Sequence, residues 1–170
     1  MGKYGMTEYY KDELEDALIY QDFVIDQLRK YDPCIIVPTY SSRKWQYDHG
    51  ESASGIEIKH DKKFEQGSPN LYIEVKEKSD PAIADFTPSG IYRKDSTWLY
   101  LIGSYSEAFL FSKHQLQKIH MSQSSWGKRG IREVPGKDKN GNITSIGFLY
   151  PVQSAIDNGT CLYHFVFDKK

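Results

Sequence analysis

Residues 55–78 read GIEIKHDKKFEQGSPNLYIEVKEK, and how the two strands in this stretch pair decides the fold. Ile56 and Ile58 alternate with Glu57, Lys59 and Asp61; Leu71, Ile73 and Val75 alternate with Tyr72, Glu74, Lys76 and Lys78. Successive side chains leave a strand on opposite faces, so a period of two marks a half-buried strand. The intervening KKFEQGSPN carries Gly67, Pro69 and Asn70, residues that turns favour. The spacing predicts an antiparallel hairpin with its tip near residues 65 and 66, which sets Glu57 opposite or nearly opposite Glu74. Cross-strand neighbours have Cβ atoms about 4.5–5.5 Å apart. With Val75 turned to the core, Lys76 is expected on the same face as Glu74. Two carboxylates at that separation repel unless positive charge lies between them. A divalent cation supplies it, and so do the flanking lysines; an exposed face of alternating Glu and Lys is also ordinary solvated surface, contributing only about 0.2–1 kcal/mol per pair.

The rest of the chain supplies a scaffold for that hairpin. At 170 residues, 39% apolar and 26% charged, it is expected to form a single domain over 1–170. Thr7 reads as an N-cap, and Tyr10, Leu14, Ala17, Leu18, Val24, Ile25 and Leu28 recur at steps of three and four. That predicts one long amphipathic helix ending at Tyr31, before Asp32-Pro33. Cys34–Val37 reads as a buried strand, and Trp45 and Tyr47 lie in a polar, turn-rich stretch. Residues 79–96 read as an extended connection with a short helical turn. Trp98–Ile102 and Ala108–Phe111 form a second hairpin, followed by a short helix over KHQLQKIH. Residues 121–142 read as a long polar loop ending in an Asn140-Gly141 turn, and Ile143–Tyr150 and Cys161–Phe167 as the last two strands, a C-terminal hairpin. The fold class is α/β (α+β): a central mixed sheet with the N-terminal helix packed on it.

Several functions are excluded by what the chain lacks. It has no GxSxG elbow, no Walker loop, no GxGxxG and no HExxH. The five histidines are scattered without metal-ligand spacing, and Cys34 and Cys161 are too far apart for a CxxC motif. No apolar run approaches the ~20 residues of a membrane span. The polar, acidic start MGKYGMTEYYKDELED is no export signal, so a cytoplasmic protein with no membrane partner is expected. A net charge of −1 hides an acidic first helix, where residues 1–32 hold eight acids against four bases. Nucleic-acid contact therefore has to come from a local patch. The candidate is the loop bearing Lys128, Arg129, Arg132, Lys137 and Lys139. Tyrosine is abundant, with 13 residues, and suits both strand rims and grooves where bases stack.

Glu57, a 17-residue interval and then Glu74-Val75-Lys76 resemble the PD-(D/E)xK nuclease superfamily, whose members include restriction endonucleases, resolvases and phage exonucleases. The resemblance spans roughly residues 10–120. It implies a restriction-endonuclease-like core, with Glu57 and Glu74 as ligands of Mg²⁺ (or Mn²⁺) and Lys76 assisting the attacking water. It also implies a helix acid or amide, for which Glu13 and Gln21 are candidates. The chain departs from the family pattern in having Ile56-Glu57 where a Pro-Asp pair is usual. Glu57-Ile58-Lys59 is itself an ExK triplet, so the register is open, and Glu51, Lys59, Asp61 and Lys78 are further candidates. The expected function is Mg²⁺-dependent hydrolysis of a nucleic-acid backbone, DNA above all. The alternative is a non-catalytic DNA- or protein-binding module on the same scaffold, and homodimerisation stays open.

Overall fold

The computed structural model describes residues 8–32, 54–124 and 132–168. The expected N-cap Thr7, the strand at 34–37, Trp45 and Tyr47 lie outside them, as do the candidates Glu51, Lys128 and Arg129. In chain order the elements are α1 (Glu8–Tyr31), β1 (Ile56–His60), α2 (Lys62–Glu65), β2 (Asn70–Glu77) and β3 (Thr87–Pro88). A 3₁₀ turn (Gly90–Tyr92), β4 (Leu99–Gly103), β5 (Glu107–Ser112) and α3 (Lys113–Ser124) follow. The chain continues with β6 (Glu133–Lys137), β7 (Ile143–Pro151), α4 (Val152–Asp157) and β8 (Tyr163–Val166).

These strands form two four-stranded sheets, ordered β1-β4-β5-β8 and β3-β2-β7-β6. The first is mixed, since β1 runs parallel to β4 while the other pairs are antiparallel. The second is antiparallel throughout. The protein is thus an α+β fold, but the single central sheet of the sequence reading is replaced by two.

The helix α1 forms where the three- and four-residue period predicted it. Its stripe of Tyr20, Val24, Ile25 and Leu28 packs on Ile58, Leu101, Ala108, Phe165 and Phe167 of the first sheet and the residue after it. Each such side chain contributes about 1.5–3 kcal/mol on full burial. Arg29 and Lys30 occupy the last turn, where the helix dipole favours cations. A larger core is shared by both sheets: Leu71, Ile73 and Val75 of β2 and Phe148 and Tyr150 of β7 meet Tyr100 and Ile102 of β4 and Phe109 and Phe111 of β5. Leu116 of α3 and Ile91 of the 3₁₀ turn close it.

The decisive hairpin does not form. Both halves are strands, as their alternation required, but β1 pairs with β4 and β2 with β3 and β7. The connection is a helical turn. Asp61 caps α2, one carboxylate oxygen accepting from the Lys63 and Phe64 amides at 3.0 Å each and the other from Tyr72 N at 2.7 Å. That capping directs β2 away from β1 into the second sheet. The last two strands also fall in different sheets, separated by α4, so no C-terminal hairpin exists. Two portions of the expected long loop belong to regular elements: α3 runs on to Ser124, and β6 pairs with β7. The Asn140-Gly141 turn closes that β6–β7 hairpin, with Gly141 at φ 83° and Asp138 N bonded to Asn142 O at 3.0 Å. The β4–β5 hairpin forms as read.

Candidate active site

Glu57 and Glu74 come together without a hairpin. In the parallel ladder Glu57 lies beside Tyr100 and Lys59 beside Ile102. Tyr100 and Ile102 line the core shared with β2, whereas Ile58 faces α1. Glu57 and Lys59 therefore project toward the second sheet, on which β2 carries Glu74. The Tyr100 hydroxyl hydrogen-bonds the Glu74 backbone and ties the two sheets at this point.

The environment of Glu57 is unusual for a carboxylate. Its side chain is only 1% exposed, and neither oxygen has a well-directed hydrogen bond among the described residues. Charge holds it instead: Lys113 Nζ lies 2.6 Å from Oε2 and Lys59 Nζ 3.2 Å from Oε1. Each oxygen thus faces one ammonium, and the pair of lysines balances the buried carboxylate. Lys113, the first residue of α3, is itself buried, with Asp95 Oδ1 at 3.5 Å and a hydrogen bond to Thr97 Oγ1. Asp95 accepts from Thr97 N and from its hydroxyl. Arg93 Nε lies 3.6 Å from the other oxygen of Asp95.

Glu74 accepts from Ser89 Oγ at 2.6 Å. Burial pushes its carboxyl above the usual carboxylate range, Lys59 opposes that rise, and Glu77 and Glu57 add to it. Two acids and a lysine thus share one electrostatic neighbourhood. Gly90 completes the packing around Glu74. It adopts φ 51°, and a Cβ there would collide with the Glu74 carbonyl and lie 2.9 Å from its Cβ.

Lys76 is not part of this group. The β2–β7 ladder slips between Glu74 and Lys76: Glu74 pairs with Gly147, but Lys76 pairs with the adjacent residue Ile146. Paired residues share a face and consecutive ones do not, so the bulge at Val75 turns Lys76 to the opposite side from Glu74. Its Nζ lies 3.6 Å from Glu133 Oε2, in a network where His120 Nε2 is 3.2 Å from Glu133 Oε1 and stacks on Phe148. The expectation that Val75 would keep Glu74 and Lys76 on one face fails for this reason. The lysine that does accompany the acids is Lys59, in the alternative register Glu57-Ile58-Lys59.

The other candidates are dispersed. Both oxygens of Asp61 are occupied by the backbone amides they cap, and Lys78 lies over the Phe86 ring, 4.6 Å from its centroid. Gln21 is buried on α1, its Nε2 without a partner among the described residues, and Glu13 belongs to the same helix. Arg132 precedes β6, Lys137 ends it and Lys139 sits in the β6–β7 turn. β6 is two strands from β2, about 10 Å across the sheet. Sequence reasoning missed Lys113, Asp95, Ser89 and Tyr100. Ser112-Lys113 at a strand-to-helix junction offers no pattern that would reveal a buried lysine.

Among the described residues no three His, Cys, Asp or Glu side chains are grouped to hold a metal. Mg²⁺ needs only one or two carboxylates, with water and phosphate oxygens completing its shell. The carboxylate oxygens of Glu57 and Glu74 are hard donors of that kind, and both Glu57 oxygens already face lysine ammoniums. No helix among the described residues is long and apolar enough to cross a membrane. Comparison with protein-family models, curated proteins and solved structures finds no match to the chain.

Proposed function

We propose that the protein is a metal-dependent phosphodiesterase acting on nucleic acid, with Glu57, Glu74 and Lys59 at its centre. The observation that carries this reading is a buried Glu57, held between the ammoniums of Lys113 and Lys59, with Glu74 of the other sheet near enough for Glu57 and Lys59 to act on its charge. Burying charge in this way costs stability, and a hydrophobic replacement would pack as well or better. Expensive buried charge is what chemistry at a site requires.

Glu57 and Glu74 would hold the cation. When bound, Mg²⁺ or Mn²⁺ supplies charge neutralisation at a phosphoryl group and acidity to a water. Lys59 is the group that reaches outward. Its side chain is 30% exposed while its Nζ contacts the buried Glu57, so it spans from the carboxylates to solvent. There an ammonium can donate hydrogen bonds to a phosphate oxygen or orient a water for attack. The Tyr100 hydroxyl, kept protonated by burial and the neighbouring Glu57, remains a neutral hydrogen-bonding group beside them.

The test is cleavage of single- and double-stranded DNA and RNA with Mg²⁺ or Mn²⁺ against EDTA controls. Glu57→Gln, Glu74→Gln and Lys59→Met are expected to abolish cleavage while Lys76→Met retains it. A wild-type protein inert on every substrate would overturn the proposal. The alternative, a non-catalytic binding module, draws support from Lys113, whose ammonium already neutralises Glu57.

A further inference from the structure

The segment between the 3₁₀ turn and β4 is tied to both carboxylates. At its start Ser89 Oγ holds Glu74, and Gly90 packs on the Glu74 backbone. At its end Asp95 and Thr97 hold Lys113, whose ammonium contacts Glu57. Residues 89–98 are therefore a collar fixed to the two acids by side-chain bonds. Its exposed residues are Lys94, Ser96 and Trp98, while Tyr92 and Arg93 are half-buried.

Trp98 stands out among them. It is 61% exposed, although tryptophan is among the residues with most to gain from burial. It is nevertheless held in place. Its ring lies against Gly55, where a Cβ would collide with Cδ1 and come within 2.6 Å of Nε1. The Trp98 amide bonds Gly55 O at 2.8 Å, and its carbonyl accepts from Lys113 N at 2.9 Å. Trp98 directly precedes β4 and stands two residues before Tyr100, the neighbour of Glu57 in the ladder. Lys94 is exposed on the same collar.

We propose that Trp98 is a stacking platform for an unpaired nucleobase, with Lys94 meeting the adjoining phosphate, so that the collar delivers a single strand to the carboxylates. This deepens the phosphodiesterase reading and rests on it for the fate of the strand. A fixed, exposed ring suits single strands, because every base offers a π face while a duplex hides them. The inference names a substrate class: single-stranded nucleic acid, or duplex with a frayed or flipped base.

The experiment is fluorescence anisotropy with labelled oligo-dT, oligo-rU and a blunt DNA duplex, in EDTA so that binding is read apart from cleavage. Trp98→Ala is expected to weaken single-strand binding about tenfold and Trp98→Phe much less, with blunt-duplex binding unchanged in both. Equal affinity of wild type and Trp98→Ala for both single strands, or no single-strand binding by wild type, overturns the proposal. So does an equal loss on the duplex. Because the ring is mostly exposed, its truncation leaves the core intact, and the unchanged thermal midpoint of Trp98→Ala verifies this. Single-strand binding lost in Trp98→Ala, with no cleavage by wild type under Mg²⁺ or Mn²⁺, upholds the platform and removes the phosphodiesterase. Cleavage by wild type with Trp98→Ala binding normally does the reverse.

Discussion

Replacing Lys113 by methionine tests whether the buried charges act as a unit. Lys113 is 5% exposed and faces Glu57, Asp95 and Thr97. Methionine keeps most of the chain's volume and removes the ammonium, leaving Glu57 with Lys59 alone and Asp95 with Arg93. Removing one partner of a buried pair costs about 3–5 kcal/mol, because the remaining charge stays desolvated. For a chain of this length each kcal/mol lowers the midpoint by about 2–4 °C, so a fall of about 6–20 °C is expected. Glu57→Met is expected to destabilise for the same reason. The double variant buries no Glu57–Lys113 charge, so its cost should fall short of the sum by about 0.5–3 kcal/mol. Urea denaturation of the four proteins measures this cycle. A Lys113→Met cost below about 1 kcal/mol, the range of a solvent-exposed pair, would refute the reasoning. Strict additivity would refute it too.

Lys76→Met should change stability by at most about 1 kcal/mol, since its pair with Glu133 is exposed on both sides; urea melts check this. Glu74 gives a pH signature. Its folded pKa lies above the ordinary value, mainly through burial, so its protonated form is favoured in the native state. The stability this contributes is fully present below the ordinary carboxylate pKa and is lost as pH rises through the elevated one. Midpoints measured across the acid range should show that decline flattened in Glu74→Gln. Tyr72, pushed up to about 12 by burial, should be among the last phenols to ionise in an ultraviolet titration of the folded protein. Gly90→Ala should destabilise by more than about 1 kcal/mol in urea, because alanine must hold a left-handed φ and its Cβ collides with the Glu74 carbonyl.

Local pattern revealed the elements well and their partners badly. The period of α1, the alternation of β1 and β2, the β4–β5 hairpin and the Asn140-Gly141 turn were all legible, because each is set within a few residues. The pairing of β1 was not. Alternation fixes which residues share a face but carries no information about which strand lies alongside, and the true partner is about forty residues downstream. The nearer cue was Asp61, a favoured capping residue directly after β1, whose capping of α2 rules out a simple hairpin. The bulge at Val75 was equally hidden, for IEVKE reads as unbroken alternation. Glu57 and Glu74 were thus named from a pairing that does not exist. Their charges act on each other even so, through a tertiary placement that alternation does not encode.

The parallel ladder between β1 and β4 has a consequence for how the molecule assembles. Closing a loop of about forty residues costs entropy before any contact returns it, whereas the β4–β5 and β6–β7 hairpins need only a few residues between their strands. The hairpins are therefore expected to be protected early in pulse-labelled hydrogen exchange, and β1 late. Glu57 reaches its lysine at 113 only after that last closure. A ribosome-bound chain that has emerged no further than residue 98 would hold both acids but neither β4 nor Lys113, so this arrangement can form only once the chain through Lys113 is free to fold.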